Sequence, residues 1–247
     1  MISESPFLSA VIPNLLAATI AWLLGTVRSH GVVGGILVGT VIYLAFGWQG
    51  WLLLLIFFVS GSAATRWGHS LKEKQGTAQP YQGRRGIGEV ISKAGVPFLL
   101  AGLLLGNEVW GPWPPSLLLV AYGGSLATAL ADTFGSELGP LGKGPVWQLP
   151  TLNKVKHGTP GGVSLMGLLG AGVGAAGIAG AGYSLLQIAF LPVMLAGILA
   201  SLIDGFLSAS TSGRSTVTHH AINFTACVLG AVLAVSIDWV LEKGGTP

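Results

Sequence analysis

Cysteine is nearly absent from this chain, and charged residues are scarce. Cys227 is the single cysteine, and only 9% of the 247 residues are charged. One cysteine excludes a disulfide framework and any metal site built from several thiolates. Hydrophobic residues make up 51% of the chain and the mean hydropathy is +0.71, which leaves too little polar surface for a soluble domain. The composition therefore predicts a polytopic membrane protein in which Cys227 is a small buried residue.

The first apolar run also lacks the features of a cleavable signal peptide. No basic region precedes it, no cleavage site follows it, and Arg28 is the first cation, so we interpret 7–25 as a retained membrane segment. A spanning helix needs about 20 mostly apolar residues, which divides the chain into candidate spans near 7–25, 31–47, 49–66, 87–106, 115–133, 161–182, 184–207 and 221–241. We therefore predict one all-α domain over 1–247, a bundle of about eight transmembrane helices. Seven spans remain possible because only the short turn at 47–50 separates the second from the third.

Cations are almost missing from one side of this predicted topology. All 12 Lys and Arg residues except Lys243 lie on the same face, including Arg214 between the seventh and eighth spans. Cytoplasmic loops are the ones enriched in Lys and Arg. The distribution therefore predicts that both termini lie outside the cytoplasm and that the charged loops face it.

Three carboxylates lie at span ends on that charged face. Asp132 and Glu137 belong to 129-ALADTFGSELGP-140, and Asp204 belongs to 200-ASLIDGFLSA-209. Carboxylates near the hydrocarbon region are costly and usually mark a functional path or a paired site, and their oxygens suit Mg²⁺. They predict a magnesium site, although capping of a span end or pairing with nearby cations stays open. Glu89 and Lys93 are four residues apart, which predicts a helical ion pair.

Two further segments are candidates for binding phosphate. In 154-KVKHGTPGGVSLMGLLG-170, two lysines precede a glycine-rich turn that is predicted to open into a helix, whose N-terminus would favour an anion. The segment is not a Walker A sequence, and beyond Gly167 its glycines are interpreted as close helix packing. The Arg84-Arg85 pair is suited equally to phosphates and to the positive-inside bias or anionic lipid. His219 and His220 lack the helical spacing of a metal pair.

Five segments together resemble one integral-membrane family. They are 82-QGRRGIGEVISKAGVP-97, 131-ADTFGSELGP-140, 154-KVKHGTPGGVS-164, 203-IDGFLSA-209 and 220-HAINF-224. In this order they resemble the family of transmembrane protein 19 and the phytyl-phosphate kinase of the vitamin E pathway, domain-of-unknown-function family 92, which is distantly similar to dolichol kinase and CDP-diacylglycerol synthase. The chain departs from the family pattern at Phe134-Gly135, where Trp-Ala is usual, and at Pro160, where Asn is usual.

The resemblance implies transfer of a phosphoryl group from a nucleotide, with CTP expected, to an isoprenoid monophosphate in the membrane. The partners would be the bilayer, the lipid and the nucleotide, with no nucleic acid, and the membrane a prokaryotic plasma membrane or a thylakoid. Asp132, Glu137 and Asp204 would be the catalytic carboxylates and would hold Mg²⁺. Residues implied to contact phosphate groups are Arg84, Arg85, Lys156, Gly158, Thr159, Gly161, Gly162, Ser164 and Asn223.

Two other functions are compatible with the same polar residues. A transporter or flippase of an anionic solute or lipid phosphate would use them as a pathway, but no charged residue lies near the middle of a predicted span and the loops show no inverted repeat. A noncatalytic scaffold of glycine-rich helices would leave the convergence of the carboxylates unexplained.

Overall fold

The computed structural model describes residues 6–211 and 216–244 and is mostly helical. Seven of the described helices are long and apolar enough to cross a membrane, and three short strands form a small antiparallel sheet in the order β2-β1-β3. The helices are α1 (Pro6–Leu23), α2 (Ser29–Arg66), α3 (His69–Lys74), α4 (Ile87–Leu105), α5 (Asn107–Trp110), α6 (Pro115–Leu138), α7 (Leu165–Leu186), α8 (Phe190–Ser210) and α9 (Thr216–Gly244), and the strands are β1 (Val146–Gln148), β2 (Asn153–Val155) and β3 (Gly162–Ser164).

Helix α2 folds back on itself at Gly47. A straight helix of 38 residues would be about 57 Å long, roughly twice the thickness of the hydrocarbon core. Gly47 has φ +70°, a conformation that few other residues adopt. Gly31 and Gly61 both lie against Arg85: an added Cβ would be 2.5 Å from its carbonyl oxygen at Gly31 and 2.6 Å from Nη2 at Gly61. The two arms are therefore antiparallel, and the seven long apolar helices supply eight segments for the predicted eight-span topology.

Helix ends that the topology prediction placed together do lie together. The backbone N–H of Arg28 donates to the Arg85 carbonyl at 2.9 Å, and Lys72 contacts Glu137. The 67–86 and 139–164 connections therefore lie at the same end of the bundle as the α1–α2 turn. At the opposite end, the Tyr122 hydroxyl donates to the Gly50 carbonyl at 2.7 Å. Arg214 lies outside the described residues, and the side chain of Lys243 is not described.

Several predicted boundaries were wrong in a way that affects the site. Helix α6 continues to Leu138, so Asp132 lies inside a helix and not at its end. The sixth span begins at Leu165, not at 161, because Gly162–Ser164 forms strand β3 and pairs with β1. The glycine-rich segment is therefore held by a small sheet and does not itself open the helix.

Helix α6 is the centre of the bundle. Its spanning window is 78% buried, whereas the other spanning windows are 17–44% buried. Small residues allow its neighbours to approach the backbone: an added Cβ would be 2.8 Å from the Leu130 carbonyl oxygen at Gly174 and 2.9 Å from the Phe134 carbonyl oxygen at Gly170. The predicted close packing of these glycines is confirmed. The residues on α6 are consequently surrounded by α7, α8, α9 and α4.

Candidate functional site

A cavity of about 420 Å³ lies at the charged end of the bundle. Its walls come from α6, α8 and the start of α7, and from the connections at 76–79 and 157–164. It contains seven of the predicted site residues: Asp132, Gly158, Thr159, Gly161, Gly162, Ser164 and Asp204. The structure thus brings together residues from three of the five sequence segments, 131–140, 154–164 and 203–209.

Asp132 lies in the cavity wall and pairs with a lysine from a neighbouring helix. Lys93 Nζ is 2.7 Å from Asp132 Oδ2 and also donates to Thr133 Oγ1 at 2.7 Å. The lysine and aspartate side chains are 12% and 20% exposed. The Lys93 ammonium and the Asp132 carboxylate therefore neutralise each other beside the cavity, and both remain partly accessible to a ligand.

Asp204 reaches the same cavity from α8 with part of its carboxylate unused. The residue is 3% exposed, and Oδ1 accepts a long hydrogen bond of 3.4 Å from Ser208. Oδ2 is buried and has no hydrogen-bond partner in the part of the chain that the structure describes. Asp132 and Lys93 are close enough to act on it electrostatically. Because an unpaired buried carboxylate oxygen is costly, this atom indicates a place for a cation or a proton donor.

The glycine-rich loop forms the opposite wall. Gly158 and Gly161 have φ +84° and +72°, a region in which other residues are strained. A Cβ at Gly161 would overlap Ala209 of α8 and lie 2.7 Å from the Gly205 carbonyl oxygen. The Gly161 carbonyl accepts from Leu149 N–H at 3.0 Å, which ties the loop to the sheet. Glycine is thus required for the loop to lie flat between the sheet and α8.

Ser164 ends the loop and begins α7. Its Oγ accepts from the Gly167 N–H at 3.1 Å and donates to the Gly139 carbonyl at 3.3 Å. This N-cap satisfies one of the free N–H groups of the helix and joins the loop to the end of α6. Ser164 therefore has a structural role at the edge of the cavity.

The predicted magnesium site required Glu137 to lie beside Asp132 and Asp204. Glu137 does not line the cavity that contains those two residues. Its Oε2 is 2.6 Å from Lys72 Nζ, with side-chain exposures of 3% and 1%. Lys72 Nζ also donates to the carbonyls of Ala64 at 3.0 Å and Thr65 at 2.8 Å. Among the described residues, no three His, Cys, Asp or Glu side chains form a group that could hold a metal ion. Glu137 therefore does not accompany Asp132 and Asp204 at the cavity, because its carboxylate is buried against Lys72.

The predicted pairing of Glu89 with Lys93 is also wrong. Glu89 Oε2 accepts from the Gly86 N–H at 2.7 Å, which caps the start of α4. Lys93 is left to reach across to α6. Helical spacing made the pair plausible, but a tertiary partner and a cap both offered better contacts.

The remaining predicted residues lie outside this cavity. Arg84 and Lys156 are exposed. Asn223 is 4% exposed; its Nδ2 is 3.5 Å from His219 Nε2, and its Oδ1 has no partner among the described residues. Arg85 is half-buried against Phe57, with the guanidinium carbon 5.6 Å from the ring centroid. Burial lowers the pKa of its guanidinium, and the charges of Glu137 and Glu89 oppose that shift.

Some residues of the cavity were not predicted. The lining includes Thr77, Ser136, His157, Ser208 and His219, and Lys93 stands behind Asp132. Lys93 was detectable in principle, since a lysine within an apolar span is itself a signal of function. Thr77 was not, because it contacts Gly158, which is remote in sequence, with Cγ2 2.7 Å from where a Cβ would be.

Comparisons with known proteins agree with the membrane architecture. The family described as integral membrane protein DUF92 matches residues 12–231. The chain is 33% identical to an uncharacterised membrane protein of Synechocystis over 94% of this chain and 92% of the relative. It is 30% identical to the chloroplastic protein VTE6 of Arabidopsis thaliana, over 94% and 72%, and 28% identical to an uncharacterised membrane protein of Methanocaldococcus jannaschii, over 85% and 84%. No solved structure matches the chain.

Proposed function

The chain belongs to the integral membrane protein family DUF92, and on that premise we propose that it is a membrane-embedded prenyl-phosphate kinase. It would transfer a phosphoryl group from a nucleotide, CTP in our proposal, to an isoprenoid monophosphate and yield the diphosphate. The resemblance of its motifs to those of phytyl-phosphate kinase and its relationship to VTE6 support this substrate class. The membrane would be a prokaryotic plasma membrane or a thylakoid, with the cavity open to the side that carries the positive loops.

The observation that carries the proposal is the convergence of Asp132, Asp204 and the glycine-rich loop on one cavity at the end of the bundle. Phosphoryl transfer requires little covalent chemistry from the protein and mainly requires that two anionic groups are positioned and their charge is neutralised. A phosphate monoester has a second pKa of about 6, so it is already a nucleophile at neutral pH. A general base is therefore unnecessary. The carboxylates of the cavity need not accept a proton from the substrate: Asp132 is paired with Lys93, and Asp204 has an unpaired oxygen that can bind a cation.

In this proposal the nucleotide phosphates lie along the loop from Gly158 to Gly162. Gly158 and Gly161, both at positive φ, have no side chain to cover the backbone, so a phosphate can approach it closely. Lys93 supplies a positive charge at the junction between nucleotide and acceptor, since its ammonium is already beside Asp132 at 2.7 Å. The side chain of Lys93 would exchange part of that contact for a phosphate oxygen as charge develops.

Asp132 and Asp204 fit a magnesium ion better than the three-carboxylate set did. Mg²⁺ usually takes one or two protein carboxylates and completes its coordination with phosphate oxygens and water. The unpaired Oδ2 of Asp204 and the carboxylate of Asp132 meet that requirement. When bound, Mg²⁺ would neutralise charge on the transferred phosphoryl group. Glu137, Arg84 and Lys156 have no role in this proposal.

The test is phosphate transfer by the purified protein in nanodiscs. γ-labelled CTP, ATP and GTP are offered with Mg²⁺ to phytyl, farnesyl and geranylgeranyl monophosphates. We expect a labelled prenyl diphosphate from the native chain and at least a roughly 100-fold loss of turnover in Asp132→Asn. Asp238→Asn makes the same chemical change on α9 outside the cavity and is expected to keep full turnover. No product from folded protein with any pair of substrates would refute the kinase and favour the transporter, flippase or scaffold.

A further inference from the structure

A second cavity lies between α1, both arms of α2, and α4. Its volume is about 120 Å³, on the order of the cavity that holds a benzene molecule. Apart from Asn14, Trp51, Arg85 and Glu89, its lining is aliphatic, aromatic or glycine. Gly35 lies in its wall, is exposed, and has no atom within 4 Å of the position that a Cβ would occupy. The cavity is therefore an apolar groove that reaches the lipid-facing surface at Gly35, and we call it the α1–α4 groove.

At one end of the α1–α4 groove, the polar side chains of Asn14 and Trp51 are hydrogen-bonded within the protein. Trp51 Nε1 donates to Asn14 Oδ1 at 2.9 Å, and Asn14 Nδ2 donates to the Ala10 carbonyl at 2.8 Å. These hydrogen bonds use the polar atoms of both side chains on each other and on the backbone. The groove therefore offers an apolar ligand no polar atom to desolvate at this end.

The other end of the α1–α4 groove has an unused cation. The Arg85 guanidinium has no hydrogen bond or ion pair within 6–211 and 216–244; it lies over the Phe57 ring and feels the charges of Glu137 and Glu89 from a distance. Glu89, the carboxylate that also lines this end, is committed to the Gly86 N–H at 2.7 Å. A half-buried arginine with free donors is suited to a phosphate, which it can bind through two parallel hydrogen bonds.

This arginine is also close to the polar cavity. A Cβ at Gly61 would be 2.6 Å from Arg85 Nη2 and 3.5 Å from Thr133 Cγ2, so these two atoms are within about 6 Å of each other. Thr133 Oγ1 in turn is 2.7 Å from Lys93 Nζ, which pairs with Asp132. A chain of contacts through Thr133 and Lys93 thus connects Arg85 in the α1–α4 groove with Asp132 in the polar cavity.

We propose that the α1–α4 groove binds the isoprenoid chain of the acceptor, and that Arg85 binds its phosphate and presents it to Lys93. The identification of the lipid as a phosphate acceptor rests on the proposed kinase, whereas the binding site rests on the groove itself. The enclosed volume accommodates a group of about the size of one isoprene unit. The unit next to the phosphate is enclosed, and the rest of the chain leaves past Gly35 into the bilayer.

Binding without turnover separates this proposal from the kinase. Radiolabelled geranylgeranyl monophosphate is titrated against the protein in nanodiscs, with no nucleotide present. Gly35→Leu fills the groove and is expected to weaken binding at least about 10-fold. Gly177→Leu is the matched control, because Gly177 is also an exposed helical glycine with no atom within 4 Å of a Cβ, and it lies on α7 outside the groove. Its affinity should equal that of the native chain.

A second variant tests the phosphate end. Arg85→Gln should weaken binding of geranylgeranyl monophosphate by about 10-fold or more and leave binding of geranylgeraniol unchanged, since the alcohol carries no charge. Equal losses for both lipids would show that Arg85 only supports the fold. Elution of each variant as a single folded species by size exclusion is required before its affinity is compared.

Two results would overturn the proposal. Native affinity in Gly35→Leu would show that the chain binds elsewhere, even if the native protein transfers phosphate. Equal displacement by phosphatidic acid would show that the groove accepts any lipid phosphate and not an isoprenoid. If Gly35→Leu abolishes binding but the native protein yields no diphosphate, the lipid-binding groove is supported and the kinase is refuted.

Discussion

Two carboxylates of helix α6 pair with lysines of other helices, and the two pairs differ in their surroundings. Lys72–Glu137 is sealed, with exposures of 1% and 3%, and the lysine is further held by two backbone carbonyls. Lys93–Asp132 is 12% and 20% exposed and lies beside the polar cavity. The first pair fastens the 67–86 connection to the bundle, whereas the second places charge where a ligand can reach it. Carboxylates of the same helix and the same chemistry therefore have different roles, because their access to the cavity differs.

The largest change is expected when the sealed pair loses one partner. Glu137→Gln leaves the Lys72 ammonium buried without an anion, which should lower the free energy of unfolding by about 3–5 kcal/mol. Denaturant titration in mixed micelles measures this loss. The double variant Lys72→Met/Glu137→Met removes both charges and should recover most of the stability. A double variant as unstable as the single one would show that the pair contributes through packing alone.

Asp204→Asn should have the opposite pattern. The substitution removes a carboxylate whose Oδ2 has no partner among the described residues, so stability should stay level or rise. Turnover should fall by roughly 100-fold, because a preorganised negative charge for the metal is lost. Unfolding and transfer assays on one preparation compare the two effects. A large loss of stability without a loss of turnover per folded molecule would place Asp204 with Glu137 and not with Asp132.

Gly161→Ala tests the wall opposite the two aspartates. At φ +72° a side chain costs roughly 1–3 kcal/mol, and the added methyl group would also meet Ala209. We expect lower stability together with weaker nucleotide binding, measured as a higher KM for CTP. Gly144→Ala is the control, since Gly144 lies in the same connection with no atom within 4 Å of a Cβ. Equal behaviour of the two alanine variants would show that the loop tolerates displacement.

Lys93→Gln should cost less stability than breaking the sealed pair does. Asp132 would lose a charged hydrogen bond worth about 1.5–3 kcal/mol, but water in the cavity can solvate its carboxylate and reduce the loss. Lys72→Gln is the comparison. The Glu137 carboxylate has no access to water, so the loss of its lysine should lower stability by more, about 3–5 kcal/mol. Matching losses for the two lysines would indicate that the cavity is closed to water and that the two pairs are equivalent.

The membrane architecture was largely predictable from hydropathy, while the pairing of charges was not. Apolar runs located every spanning segment, and the short turn at Gly47 separates two arms, as the eight-span topology required. The sheet at 146–164 was missed because each strand has only three residues and shows too little alternation to be recognised. The partners of Lys93 and Glu137 were missed because both lie on other segments of the chain, where local spacing carries no information.

We propose that phosphoryl transfer takes place on the Asp132 side of α6 and not on the Glu137 side. It is tested most directly by turnover per folded molecule of Asp132→Asn and Glu137→Gln, in the same nanodiscs, with γ-labelled CTP and geranylgeranyl monophosphate. We expect labelled diphosphate from Glu137→Gln at close to the native rate, and at least about 100-fold less from Asp132→Asn. Native turnover in Asp132→Asn, or an equal loss in both variants, would contradict it.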